Sequence, residues 1–175
     1  MKIYDIAKCV SGNVLGIGVD ETIAQILENN ELVLNCNVLN STSKQKTPSK
    51  EKTKQKLKKI RIKKIRKTFK KKKVDFIICN IEEIKKYLKT FIKDSVYINK
   101  QILYIYNIKD EEQKEELIKK YKRYNTKIEE IKEKTTIILK IDNTNSKTNI
   151  LKDNLYMIID TLIELSNFIS DLLLN

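Results

Sequence analysis

The sequence predicts a three-layer α/β protein. Its sheet is mostly parallel, closes with an antiparallel hairpin, and is followed by a long C-terminal helix. Three observations lead there. Short apolar runs alternate with stretches of helical period from the start of the chain to about residue 124. Two alternating runs, Thr126–Ile131 and Thr135–Asp142, flank the polar triplet Lys132-Glu133-Lys134, as in a hairpin. Leu151, Leu155, Ile158, Leu162, Leu165, Ile169 and Leu172 then recur at alternating steps of four and three. Residues 1–147 read as one α/β domain with a basic insertion at 41–73, and residues 148–175 as an amphipathic helix.

Each element has its own warrant. Ile3–Val10 has apolar residues at helical spacing, and Ser11-Gly12-Asn13 breaks it. Val14–Val19 is an apolar run with two glycines and reads as a strand. Asp20–Asn29 follows as a helix with Ile23, Ile26 and Leu27 on one face, capped by Asp20 or Thr22. Leu32–Asn37 is a short strand. Ser41–Gln55 has no large apolar residue and carries the only proline, Pro48, so a loop is expected. From Leu57 to Phe69 apolar residues return at helical spacing among cations, which predicts a basic amphipathic helix. Val74–Cys79 reads as a buried strand. Ile81–Phe91 reads as a helix with Ile81, Ile84, Tyr87, Leu88 and Phe91 on one side, and Gln101–Tyr106 as another core strand. Asp110–Tyr124 runs from acidic to basic, the direction the helix dipole favours.

Charge is the strongest functional signal. Residues 44–73 hold 17 Lys and Arg against one acid, Glu51, a net +16 in a chain of +13. The other 145 residues therefore sum to about −3. A concentrated block of one sign points to phosphate. On the Leu57–Phe69 helix, Leu57, Ile62, Ile65 and Phe69 would anchor an apolar face. Lys58, Lys59, Arg61, Lys63, Lys64, Arg66 and Lys67 would then form an outward cationic stripe. Such a stripe suits a nucleic-acid backbone, with anionic lipid as the rival partner. No aromatic platform accompanies it, so base-specific reading is not expected. Lysine-rich loops also serve solubility, and the Lys, Ile and Asn bias is what an AT-rich genome would produce.

Composition excludes several chemistries. His is absent, which removes Ser-His-Asp and Cys-His catalysis and the usual zinc ligand, and no metal is expected. Cys9, Cys36 and Cys79 are odd in number and widely spaced, so buried reduced thiols in a cytoplasmic protein are expected. Met1–Val10 lacks the long apolar stretch of a signal peptide. The apolar C-terminal stretch is interrupted by Asp160, Glu164 and Asp171, so no transmembrane segment is expected. The remaining carboxylates, Glu82-Glu83 and Glu129-Glu130 among them, read as solvated surface charge.

The most suggestive local motif is Val14-Leu15-Gly16-Ile17-Gly18-Val19-Asp20. Glycines at a strand end let backbone approach a ligand, and the next helix offers free N–H groups. With VDFIICN at 74–80 and the hairpin TKIEEI–KEK–TTIILKID, the order of elements over roughly 3–142 resembles the class I S-adenosylmethionine-dependent methyltransferases. That resemblance implies a Rossmann-like sheet with S-adenosylmethionine over the first two strand ends. Gly16, Gly18, Asp20, Asn37 and Asn80 are then its candidate contacts. Gly18 aligns with the first glycine of the family's first motif, and the sequence departs from the family at the other four. Gly16 stands where the acid before the first motif glycine belongs, and Asp20 where a later glycine belongs. Asn37 stands where the family has the acid for the ribose hydroxyls. Asn80-Ile81 is all that remains of the fourth motif, and a strand between Asn37 and Val74 gives way to the basic segment.

The C-terminal helix leaves two main readings open. A helix of about 24 residues is roughly 36 Å long, more than a small domain covers comfortably. It either packs across its own sheet or pairs with a second copy in a homodimer through residues 151–173, with attachment to a membrane surface a lesser alternative because interfacial helices favour a basic polar face and this one is acidic. Two functions follow from the whole: a divergent methyltransferase-like protein that binds nucleic acid through its lysine-rich insertion, or a non-catalytic, self-associating binding protein without the cofactor.

Overall fold

In the computed structural model, the described residues are 2–39, 65–69, 71, 73–133 and 135–146. In the C-terminal segment they are 155, 156, 158, 159, 161–163, 165, 166 and 168–170. Alternating strands and helices run in the expected order. They are α1 (Ile3–Cys9), β1 (Gly12–Ile17), α2 (Glu21–Asn29), β2 (Val33–Leu39), α3 (Ile65–Thr68), β3 (Val74–Asn80), α4 (Ile81–Ile84), a 3-10 turn (Lys85–Tyr87), α5 (Leu88–Ile98), β4 (Asn99–Ile108), α6 (Glu111–Lys122), β5 (Lys127–Glu133) and β6 (Thr136–Asp142).

The six strands form one sheet in the order β2-β1-β3-β4-β6-β5. The β1–β2, β1–β3 and β3–β4 pairs are parallel. β6 runs antiparallel to both β4 and β5. This is the predicted mixed three-layer architecture. Successive residues of the central strands point to opposite faces and both faces are covered. Val14, Ile78, Tyr104 and Ile138 pack under α1 and α2. Leu15, Ile77, Leu103 and Leu139 pack under α3, α5 and α6. β2 lies at one edge. The stretch where the resemblance expects a further strand, 40–64, lies outside the described residues, as does most of the predicted Leu57–Phe69 helix.

The caps follow the predicted chemistry. Asp20 Oδ1 accepts from Ile23 N at 2.8 Å at the start of α2, and Asp110 accepts from Glu112 N at 3.0 Å at the start of α6. In α6, Glu111 and Glu112 lie in the first turn and Lys119, Lys120 and Lys122 in the last. Each such charge contributes about 0.3–1 kcal/mol against the helix dipole. The buried phenol of Tyr121 donates to Ser95 Oγ at 2.9 Å, and Ser95 Oγ in turn donates to Ile92 O at 2.9 Å, which joins α6 to α5 inside the core.

Four expectations need correction. The Ile81–Phe91 helix is broken by the 3-10 turn and its continuation runs on to Ile98, with Ile92 and Val96 in the core. The core strand begins at Asn99, not Gln101. Of the thiols only Cys79 is buried; Cys36 is half-buried and Cys9 exposed, because α1 turns Cys9 away from the sheet. Glu130 is not free surface charge: its Oε2 lies 3.1 Å from Lys114 Nζ on α6.

Candidate functional site

The carboxyl ends of β1, β3 and β4 lie side by side, which is where ligands bind in open α/β sheets. β1 ends at Ile17, and Gly18 turns the chain with φ of +61°, in the left-handed region that glycine reaches without steric cost. Gly18 N donates to Leu39 O at 2.7 Å, which fastens the turn to the end of β2. From β4, the Tyr106 hydroxyl donates to Gly18 O at 3.2 Å. Burial pushes the Tyr106 phenol up, with the Asp20 carboxylate adding to the effect, so it stays a donor at neutral pH.

The rest of the edge is polar and internally bonded. Asp20, besides capping α2, accepts from the Tyr4 hydroxyl at 3.3 Å. The Asp20 charge is the largest cause holding the Tyr4 phenol above its usual value. Asn80 Oδ1 caps α4 by accepting from Glu82 N at 3.1 Å and from Asn107 Nδ2 at 3.5 Å.

Glu83 dominates the centre. A Cβ placed on Gly18 would stand 2.9 Å from Glu83 Cβ and closer still to its Cγ. The first turn of α4 therefore rests on the glycine, and only a residue without a side chain lets it do so. Glu83 Oε2 is buried with no hydrogen-bond partner among the described residues. The reading of Glu82-Glu83 as surface charge holds only for Glu82, which pairs with Lys85 at 3.1 Å.

Of the five candidate cofactor contacts, the fold brings Gly18, Asp20 and Asn80 to one edge. Gly16 sits within β1, where the Val19 and Val38 side chains would meet an added Cβ at 3.1 and 3.6 Å. Asn37 pairs in register with Leu15, two residues short of the strand end occupied by Leu39. Asp20 and Asn80 are engaged as helix caps. Beside them the Glu83 side chain packs against the Gly18 turn. An open groove of about 640 Å³ lies at the opposite end of the sheet, between Lys8, Gln25, Asn30 and Leu32.

Sequence reasoning missed Tyr4, Glu83, Tyr106 and Asn107. No local signal places Glu83 and Tyr106 beside Gly18, or Tyr4 beside Asp20. Asn107, with φ of +67° just before the end of β4, belongs to a residue type that tolerates that region.

Of the candidate phosphate contacts, Lys58, Lys59, Arg61, Lys63 and Lys64 lie outside the described residues, as does the Lys67 side chain. Arg66 is described. Its guanidinium lies 4.1 Å from the Tyr97 ring centroid, and its charge acts on Asp94 of α5. Burial raises the Asp94 carboxyl, and Arg66 opposes that rise. Beside it, Ile65 is 1% exposed and Phe69 packs against the core.

Comparison with known proteins agrees with this architecture. No family model matches the chain, and no curated protein matches it in sequence. Among solved structures, it is similar to the T. thermophilus 16S rRNA methyltransferase RsmC in complex with AdoMet and guanosine. The TM-score is 0.52 at 6% identity, over 85% of this chain and 40% of that one. The chain thus spans about two fifths of the length of that protein. At this identity the likeness speaks to fold alone. The fold is a Rossmann-like α/β fold, similar to the one in that methyltransferase.

Proposed function

We propose that this chain is a divergent, methyltransferase-like protein of the cytoplasm that binds nucleic acid through its lysine-rich segment. In this reading the scaffold holds the segment and does not bind S-adenosylmethionine. One observation carries the proposal. The +16 stretch, residues 44–73, begins five residues after β2 ends at Leu39, whose carbonyl accepts from Gly18 N. The chain therefore enters the basic stretch from the carboxyl edge of the sheet, where open α/β folds bind ligands. Association with an rRNA is what RsmC's name states of that protein, and it fits the same chemistry.

Nucleic acid is favoured over anionic lipid by the packing of α3. A helix that lies in a bilayer surface must keep its apolar face free to insert. Here Ile65 is buried in the domain's own core and Phe69 packs against it. Among the described residues no helix is long and apolar enough to cross a membrane.

Loss of the cofactor is supported by Glu83 over Gly18, and the AdoMet in RsmC is what favours the opposite, catalytic reading. Calorimetric titration with S-adenosylmethionine and its demethylated product separates the two. No heat at millimolar ligand is expected. Micromolar binding of either ligand would overturn the cofactor-free reading. Flotation with anionic vesicles tests the partner: the protein should stay with added RNA and leave the vesicles unbound.

A further inference from the structure

The C-terminal helix carries an apolar stripe that the domain does not cover. Leu155, Ile158, Leu162, Leu165 and Ile169 are each 48–59% exposed. None of them belongs to either core cluster. The helix touches the domain through a different side: the Arg123 guanidinium, at the end of α6, lies 5.1 Å from the Tyr156 ring centroid. Tyr156 follows Leu155 by one residue and so falls off the stripe.

We propose that this stripe is a dimer seam and that its occupant is the same helix of a second copy. The spacing is self-complementary. Alternating steps of four and three place Leu155, Leu162 and Ile169 at one core position of a heptad and Ile158 and Leu165 at the other. Leu151 and Leu172 continue the stripe in the sequence at both ends. Between Leu155 and Ile169 the residues flanking the seam are Ile159, Thr161, Ser166 and Phe168, all uncharged, so this stretch of two copies meets without like-charge repulsion. By the same count Asp160, Glu164 and Asp171 fall away from the seam.

The area is sufficient. Along the seam and its flanks from Leu155 to Ile169, seven large apolar side chains are exposed, at 39–61% each. Together they present roughly 700 Å², close to the ~800 Å² that each partner buries in a standard interface. That exceeds the ~300–600 Å² of the largest apolar patch on a typical monomer. An acidic polar face argues against an anionic membrane as occupant. This inference does not rest on the polyanion reading, although a dimer would present two basic segments to one strand and gain avidity.

Light scattering on the full chain across a dilution series is the test. The expected mass is twice 20.6 kDa. Leu162→Glu and, separately, Leu165→Glu should give folded monomers with unchanged near-ultraviolet dichroism. Asp160→Ala, off the seam, should leave the dimer intact. A wild-type monomer at every concentration would overturn the proposal. So would a dimer indifferent to both seam substitutions, a wild-type monomer that binds vesicles through this helix, or seam variants that unfold and thereby place the stripe in the subunit's own core.

Discussion

The Glu83 side chain lies on Gly18: a Cβ at that glycine would stand 2.9 Å from Glu83 Cβ. Two segments 65 residues apart in sequence are thereby locked at the carboxyl edge of the sheet.

Gly18→Val should therefore be costly without any ligand present. It forces a β-branched residue into a left-handed φ and into overlap with Glu83, together about 3 kcal/mol or more. Gly16→Ala, at ordinary φ and against the yielding Val19 methyl, should cost roughly 1 kcal/mol. Urea unfolding midpoints at constant slope report both. In a double-mutant cycle, Glu83→Ala should recover part of the loss caused by Gly18→Ala. Equal losses at the two glycines, with no coupling to Glu83, would mean that the turn is not packed in this way.

The order of elements was legible because each strand and helix announces itself by period. The β3 run VDFIIC and the α2 face of Ile23 and Leu27 are local facts of the chain. The extent of α5 was hidden because Asp94 and Ser95 occupy its buried side and break the apolar pattern. They are tolerated there because Arg66 faces Asp94 and the Ser95 hydroxyl is bonded to Ile92 and Tyr121. The glycine turn was legible as a turn; its closure by Glu83 was not, since that packing depends on how α4 leaves β3. The register that sets Asn37 back from the strand end is likewise a property of strand pairing.

Thiol labelling should separate the three cysteines. Cys9 is exposed and should react at once at neutral pH. Cys36 should be slow, since burial, with the Glu28 charge, pushes its thiol up to about 11 and leaves little thiolate. Cys79, fully buried, should react only as the protein unfolds. Three equal rates in the native protein would contradict the packing of β2 and β3.

Asp142 should give the chain an acid-sensitive contribution. The Thr144 hydroxyl and the Thr144 backbone amide, at 2.8 Å, hold its carboxyl below the usual range. A carboxylate with a lowered folded-state pKa stabilises the fold above its ordinary value of about 4, and that stabilisation is lost as pH falls through the lowered one. Asp142→Asn should thus be less stable than wild type at neutral pH, with the gap closing in acid. Asp94, raised by burial, has the opposite sign, so its ionised form costs stability as pH climbs past the ordinary value. A pH-independent gap for Asp142→Asn would remove the assignment.

The central claim is that the cationic segment grips a nucleic-acid backbone. Fluorescence anisotropy of a labelled single-stranded RNA, repeated over a series of salt concentrations, measures it most directly. For the full chain the logarithm of the affinity should fall linearly with the logarithm of salt. Changing Lys58, Lys59, Arg61, Lys63 and Lys64 to Gln spares the packed residues Ile65 and Arg66. It should weaken binding and flatten the slope by about 0.7 for each phosphate that is no longer neutralised. The same affinity and the same slope in both proteins would contradict the account.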